Sequence, residues 1–167
     1  DEILTNPDLG VYLVERKPTL GEEASIFADV FQRVEGGRSV VSVAEVDGRI
    51  VGVCGIHPAG NHLEDRHVGE LGIAVHPEHR GRRVGSALLD HALSASWTKF
   101  DRIVLTVLAI NTRAIRMYER AGFQQCGTIP GSFRRGARSL DENVMWLGRE
   151  SWRPRSQDLG PASSGNP

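Results

Sequence analysis

This sequence is short of cysteine, and it lacks long apolar runs and any large imbalance of charge. Its two cysteines, Cys54 and Cys126, lie far apart without a CxxC spacing. They read as reduced, buried thiols, Cys54 inside an apolar strand pattern, and neither has a neighbour that would activate it. The longest apolar run falls far short of a membrane span, and no signal-peptide pattern opens the chain, so a cytoplasmic protein with no membrane partner is expected. The chain opens on Asp rather than Met, so a trimmed native start is expected. A net charge of −1 gives no overall call for nucleic acid, and any anion site must come from a local cluster. Neither GxxxxGK[ST] nor GxGxxG occurs, which disfavours nucleotide hydrolysis and a Rossmann dinucleotide site. His57, His62 and His67 are five residues apart, which matches neither HExxH nor a zinc-finger spacing, so no metal is expected.

What is present is an ordinary globular balance: 167 residues, 40% hydrophobic and 25% charged, enough for one domain with a core. Val11–Val14 reads as a first strand. Thr19 with Glu22 forms a capping box, opening a helix whose apolar positions are Ala24, Phe27, Ala28 and Phe31. Val40–Val46 and Arg49–Ile56 flank Asp47-Gly48, a strong hairpin signal. A polar loop from Pro58 to Arg66 precedes a strand over Val68–Val75, which ends at His76-Pro77 because proline cannot continue a ladder.

A helix is expected from about Arg82 to Trp97, with Val84, Leu88, His91, Ala92 and Ala95 on one face and Leu89 and Leu93 widening it. Ile103–Leu108 reads as a strand covered on both faces. Asn111 caps a short helix whose apolar face is Ala114, Ile115, Tyr118 and Ala121, closed by Gly122. Phe123–Ile129 and Asn143–Leu147 read as closing strands joined by a Gly/Arg-rich loop. Residues 1–149 are taken as one domain and 150–167, rich in Pro, Ser and Gly, as a disordered tail. The order β-α-β-β-β-α-β-α-β-β implies an α/β fold with a mixed sheet.

The chemistry concentrates where Val68–Val75 turns through a basic loop into the long helix. The first turn of a helix leaves N–H groups unpaired at the positive end of its dipole. Gly81 and Gly85 admit close approach to the main chain, and Arg80, Arg82 and Arg83 add charge. Together these suit a phosphate-bearing ligand, whereas taken alone they equally describe a solvated, arginine-rich helix start.

Ala74-Val75-His76-Pro77 followed by Arg80 to Gly85 resembles the pyrophosphate motif [QR]-x-x-G-x-[GA] of the GNAT acetyltransferases. Arg80 stands at the first position and Gly85 at the last, while Arg83 occupies the usual middle glycine. Asn111 to Phe123 resembles the family's N-x-x-A-x-x-x-Y-x-x-x-G-F signature, although Asn111 is also a helix cap and Tyr118 a plausible core residue. The resemblance covers roughly Val40 to Leu147. It implies a single-domain GNAT fold whose parallel strands Val68–Val75 and Ile103–Leu108 splay apart, flanked by helices, to admit acetyl-CoA as co-substrate. Such domains often pair as homodimers.

By the same resemblance, Ile73, Ala74 and Val75 would hold the pantetheine arm. The amides of Arg80, Gly81, Arg82, Arg83, Val84, Gly85 and Ser86 would bind the pyrophosphate, Arg83 serving if it keeps an ordinary helical conformation. Asn111 would contact the pantetheine side. Tyr118 would be the general acid toward the CoA thiolate. Glu70 is the candidate base or amine anchor; its bland reading is a solvated carboxylate at a strand start. The implied reaction is acetyl transfer to a primary amine by direct attack, with a small acceptor such as an amino acid, polyamine or antibiotic favoured. Asp141 and Glu142 in the closing hairpin could attract a cationic acceptor. The alternatives are an acyl-CoA-binding sensor or partner module without turnover, and a protein N-terminal or lysine acetyltransferase.

Overall fold

The computed structural model describes residues 36–154 apart from Asn61 and Gly136. The expected first strand and the helix after Thr19 lie outside these residues, as do residues 155–167 of the expected tail.

Among the described residues, six strands and two helices follow in order: β1 Val40–Val46, β2 Arg49–Pro58, β3 Val68–Val75, α1 Val84–Ser96, β4 Arg102–Leu108, α2 Thr112–Arg120, β5 Gln124–Arg135 and β6 Arg138–Gly148. They form one sheet in the order β1-β2-β3-β4-β6-β5. Among the described strands, β3 and β4 run parallel and the other neighbours are antiparallel. The mixed α/β fold expected from the element order is the one observed.

The β1–β2 turn explains its own sequence. Asp47 and Gly48 both have positive φ, 51° and 75°, the conformation that matches the twist of a two-residue hairpin. The closing hairpin is longer than expected. Much of the Gly/Arg-rich segment continues as β5 and β6, because register shifts absorb its irregularity. One of these shifts falls between Ile129 and Phe133, around Pro130, which has no N–H to give a ladder.

The core lies between the sheet and α1. Cys54, Ile56, Leu71, Ile103, Leu105, Met145 and Leu147 are buried on the sheet, and Leu88, Leu89, Ala92, Leu93 and Ser96 are buried on α1. Each fully buried leucine contributes roughly 2 kcal/mol of apolar transfer. The buried stripe of α1 is rotated from the expected one: His91 and Ala95 face solvent, and Leu89, Leu93 and Ser96 take the sheet side. Helical spacing leaves such a rotation open when apolar residues cover more than half the circumference. Cys126 corrects the second thiol reading, since it is exposed on β5 while Cys54 is buried. After β6 the chain turns back at Gly148, and the Trp152 ring lies 5.9 Å from that of Trp97, against the end of α1.

Candidate functional site

A cleft of about 540 Å³ opens where β3 and β4 part. The two strands pair only at Val68–Arg102, Gly69–Ile103 and Glu70–Val104. Beyond Glu70, β4 continues to follow β6 as far as Leu108, while β3 stays with β2 as far as Val75. The edge of β3 from Leu71 to Val75 therefore faces a gap, with Thr106, Val107 and Leu108 on the opposite wall. Backbone groups along an unpaired inner edge need a partner, and an extended ligand can supply it.

At the mouth, β3 ends in a turn over Pro77–His79 that leads to Arg80. The Arg80 Nε donates to the Val75 carbonyl at 2.8 Å, closing off the last acceptor of the strand and fixing the guanidinium beside the cleft. Gly81 follows with φ 81°, which glycine adopts without cost. Arg83 is the N-cap of α1, in the left-handed region at φ 65° and ψ 3°, so it is not in the ordinary helical conformation expected of it. A side chain there costs roughly 1 kcal/mol or more relative to glycine, the residue the motif usually carries. Arg80, Gly81, Arg83, Gly85 and Ser86 line the cleft. The side chain of Val84 instead packs toward the core, and Arg82 is exposed outside the lining. Gly85 has a packing reason besides ligand approach, because a Cβ there would stand 3.3 Å from Met117 Sδ and 3.6 Å from Val75 Cγ2.

The second signature folds as expected. The Asn111 side chain accepts from the Ala114 N–H at 3.2 Å, capping α2, and Gly122 leaves the helix at φ 100°. Tyr118 lines the cleft although its residue is only 6% exposed, and its ring meets Phe123 edge-on at 5.7 Å. Burial pushes its phenol pKa well above the ordinary value, with the nearby Cys54 a second cause. Burial likewise raises the Cys54 thiol to about 12. Both groups thus hold their protons at neutral pH.

Ile73, Ala74, Val75 and Asn111 also line the cleft. Glu70 does not. It is exposed at the last paired position before the strands part, opposite His57 on one side and Val104 on the other. The ladder runs without a bulge from Glu70 to Val75, so the two residues point to opposite faces. His57 Nδ1 lies 2.8 Å from the buried Ser39 hydroxyl, and among the described residues no acidic, histidine or cysteine group is arranged to hold a metal.

From the closing hairpin, Phe133 and Glu142 reach the cleft. Glu142 Oε2 accepts from the Ser132 hydroxyl at 2.8 Å, whereas the Asp141 carboxylate is engaged by the Gly131 N–H at 2.8 Å. Sequence reasoning missed Arg113, Met117 and Arg120, which also line the cleft. Their i, i+4, i+7 spacing along α2 is the signal that could have found them. A second concavity, about 600 Å³, lies near the start of β4 around Arg102 and Glu150, whose side chains pair at 2.7 Å.

A splayed parallel pair, a basic loop feeding a helix and a buried tyrosine line one cleft, a shape that would suit an extended, phosphate-bearing ligand. The profile described as the acetyltransferase (GNAT) family matches residues 8–123, and the chain belongs to that family. It is 36% identical over 88 residues to the L-amino acid N-acetyltransferase AaaT of Escherichia coli, covering 52% of this chain and 54% of that one. It is 30% identical over 90 residues to the spermidine N(1)-acetyltransferase of Vibrio cholerae, covering 53% of this chain and 52% of that protein. The chain thus spans about half the length of these curated relatives. Among solved structures, a ribosomal-protein-alanine N-acetyltransferase from Brucella melitensis superposes with a TM-score of 0.72 at 27% identity, over 82% of this chain and 85% of that one.

Proposed function

We propose that this chain transfers an acetyl group from acetyl-CoA to a primary amine, with a small cationic amine as acceptor. The observation that carries the reading is the free inner edge of β3, with a basic loop at one end and Tyr118 lining the same cleft. In this reading the pantetheine amides pair with the edge from Leu71 to Val75 like an added strand. The amides of the loop and the first turn of α1 receive the pyrophosphate at the positive end of the helix dipole.

An alkylamine with a pKa near ~10 must shed a proton before it attacks. Its nitrogen then forms the C–N bond to the thioester carbonyl, and an N–H on the β3 edge steadies the oxyanion. As the C–S bond breaks, the Tyr118 hydroxyl protonates the leaving sulfur, and the nitrogen, cationic after its attack, gives up a proton that restores the tyrosine through water. A phenol whose pKa burial has raised keeps the required proton across the neutral range. Glu70 at the fork takes the amine proton, acting through water because its side chain lies on the far face from Val75. Glu142, a carboxylate on the cleft wall, attracts the cationic acceptor, and relatives named for amino acids and spermidine fit that preference.

The test is titration calorimetry with acetyl-CoA, followed by thiol release over a panel of amino acids, polyamines and an alanine-terminated peptide. Saturable release with a small amine supports the proposal. Binding without release from any amine would leave an acyl-CoA sensor, and release only with the peptide would point to a protein N-terminus as acceptor.

A further inference from the structure

Resting on the acetyltransferase reading above, we propose that Gly72 sets acceptor specificity, its missing side chain admitting a branch on the carbon that carries the amine. The substrate class that follows is the α-branched primary amine, of which amino acids are the simplest members. Gly72 is a glycine that its strand does not need. It lies inside β3 and outside the left-handed region, where glycine weakens a strand relative to alanine. Other strand glycines have local reasons. A Cβ at Gly69 would stand 2.7 Å from Ile56 Cγ2, one at Gly52 would stand 2.8 Å from Leu88 Cδ1, and Gly127 sits at a register shift. A Cβ at Gly72 would meet nothing within 4 Å among the described residues, and the position is exposed and lines the cleft. A glycine of this kind within a strand marks the close approach of a ligand.

The two faces of the sheet decide which ligand. Leu71 and Ile73 turn toward the core, so Gly72, between them, faces the other side together with Glu70. Tyr118 belongs to the core side, near Cys54. In the transfer the sulfur leaves toward Tyr118, and the amine nitrogen occupies a different corner of the tetrahedral carbon. The amine therefore comes from the face away from Tyr118, the face that carries Glu70. The carbon bearing the amine stands two bonds from the thioester carbon. A branch on that carbon falls against β3 just past the fork, and the position there is Gly72.

The neighbours of Gly72 bound the space above it. Gly72 pairs with Gly55 on β2, and Glu70 pairs with His57. A Cβ at Gly55 would stand 2.7 Å from His57 Nε2, so the imidazole folds over Gly55 and walls the space on the β2 side. Its Nδ1 lies 2.8 Å from the buried Ser39 hydroxyl, which fixes the ring. On the opposite wall, Val104 is paired with Glu70, and Thr106 is the next side chain of β4 on that face, exposed and lining the cleft. A floor without a side chain, set among an imidazole, a carboxylate and a hydroxyl, suits a short substituent such as a methyl or carboxamide. A linear polyamine carries no such branch and leaves the space unused.

The experiment compares two constitutional isomers of equal charge by thiol release from acetyl-CoA: L-alaninamide, branched at the amine carbon, and β-alaninamide, unbranched there. Wild type and Gly72→Ala are measured with each, so differences in amine pKa cancel. The wild type should turn over both. Gly72→Ala should lower kcat/KM about 10-fold or more for L-alaninamide and about 2-fold or less for β-alaninamide, the discrimination one misplaced methyl group gives. Its dissociation constant for acetyl-CoA should stay within about 2-fold, and its melting temperature should equal or exceed that of the wild type. Selective loss in a protein at least as stable assigns the glycine to the acceptor. Equal effects on both isomers, weakened acetyl-CoA binding or a lower melting temperature would assign it to the coenzyme or the strand and overturn the inference. A wild type inactive on L-alaninamide overturns it too. All of these leave the acetyltransferase reading in place. Acetyl-CoA binding without thiol release from any amine overturns that reading, and this inference with it.

Discussion

The two sides of β4 are treated differently by the fold. Toward β6 the ladder runs from Arg102 to Leu108, the whole strand. Toward β3 it stops at Glu70 and Val104. One face of β4 and β6 buries Ile103, Leu105, Met145 and Leu147, while Thr106, on the opposite face of β4, borders the cleft with the free backbone of β3. One strand therefore serves the core with some side chains and the cleft wall with others. Substitutions at the core positions should read out as stability, and those at the cleft as binding or turnover.

The largest effect is expected at the core positions of β4. Leu105 is 1% exposed, so Leu105→Ala should lower unfolding free energy by about 3 kcal/mol in denaturant titration. Thr106→Val, one residue along and facing the cleft, should change it by less than about 0.5 kcal/mol. Equal losses would erase the distinction between core and cleft positions of β4.

Next comes the chemistry across the gap. Tyr118→Phe should lower kcat about 100-fold or more, with acetyl-CoA affinity and melting temperature close to wild type. A full-speed Tyr118→Phe would remove the tyrosine from proton transfer and leave it as a wall of the cleft.

A smaller change is expected at the fork. Glu70→Gln should reduce turnover by roughly 10-fold at acid pH and by less at alkaline pH, where free amine is already present. An unaltered pH–rate profile would return Glu70 to the role of a solvated carboxylate.

The smallest effect concerns the buried thiol under the sheet. Cys54 keeps its proton in the folded state up to about 12, against 9.0 for the free group. Above pH 9 the unfolded chain therefore binds fewer protons than the native one, and stability falls as pH rises toward 12. Tyr118, also raised, adds to the decline above pH 10. Cys54→Ala should flatten the first part of that slope in pH-dependent melting, whatever it does to stability at neutral pH.

Some of this was legible in the sequence because the physics is local. Asp47-Gly48 specifies its turn through positive φ, Asn111 caps α2 through its own side chain, and His76-Pro77 stops β3 for want of an N–H. The sequence signature around Tyr118 placed the phenol, but its raised pKa comes from burial in the folded core, with Cys54, from a distant stretch, as a second cause. The rotated face of α1 was not legible, because leucines and alanines cover too much of the helix for spacing alone to pick the buried side.

What the sequence alone determined is the element order, the turn and cap chemistry, and the family signature, all carried by near neighbours along the chain. What the tertiary structure decided is where the β3–β4 ladder stops, that Arg83 takes a left-handed backbone, and that Arg113 lies over Gly81. These depend on strands and helices meeting across long sequence separations. Backbone pairing and steric fit settle them, and periodicity and spacing do not record either.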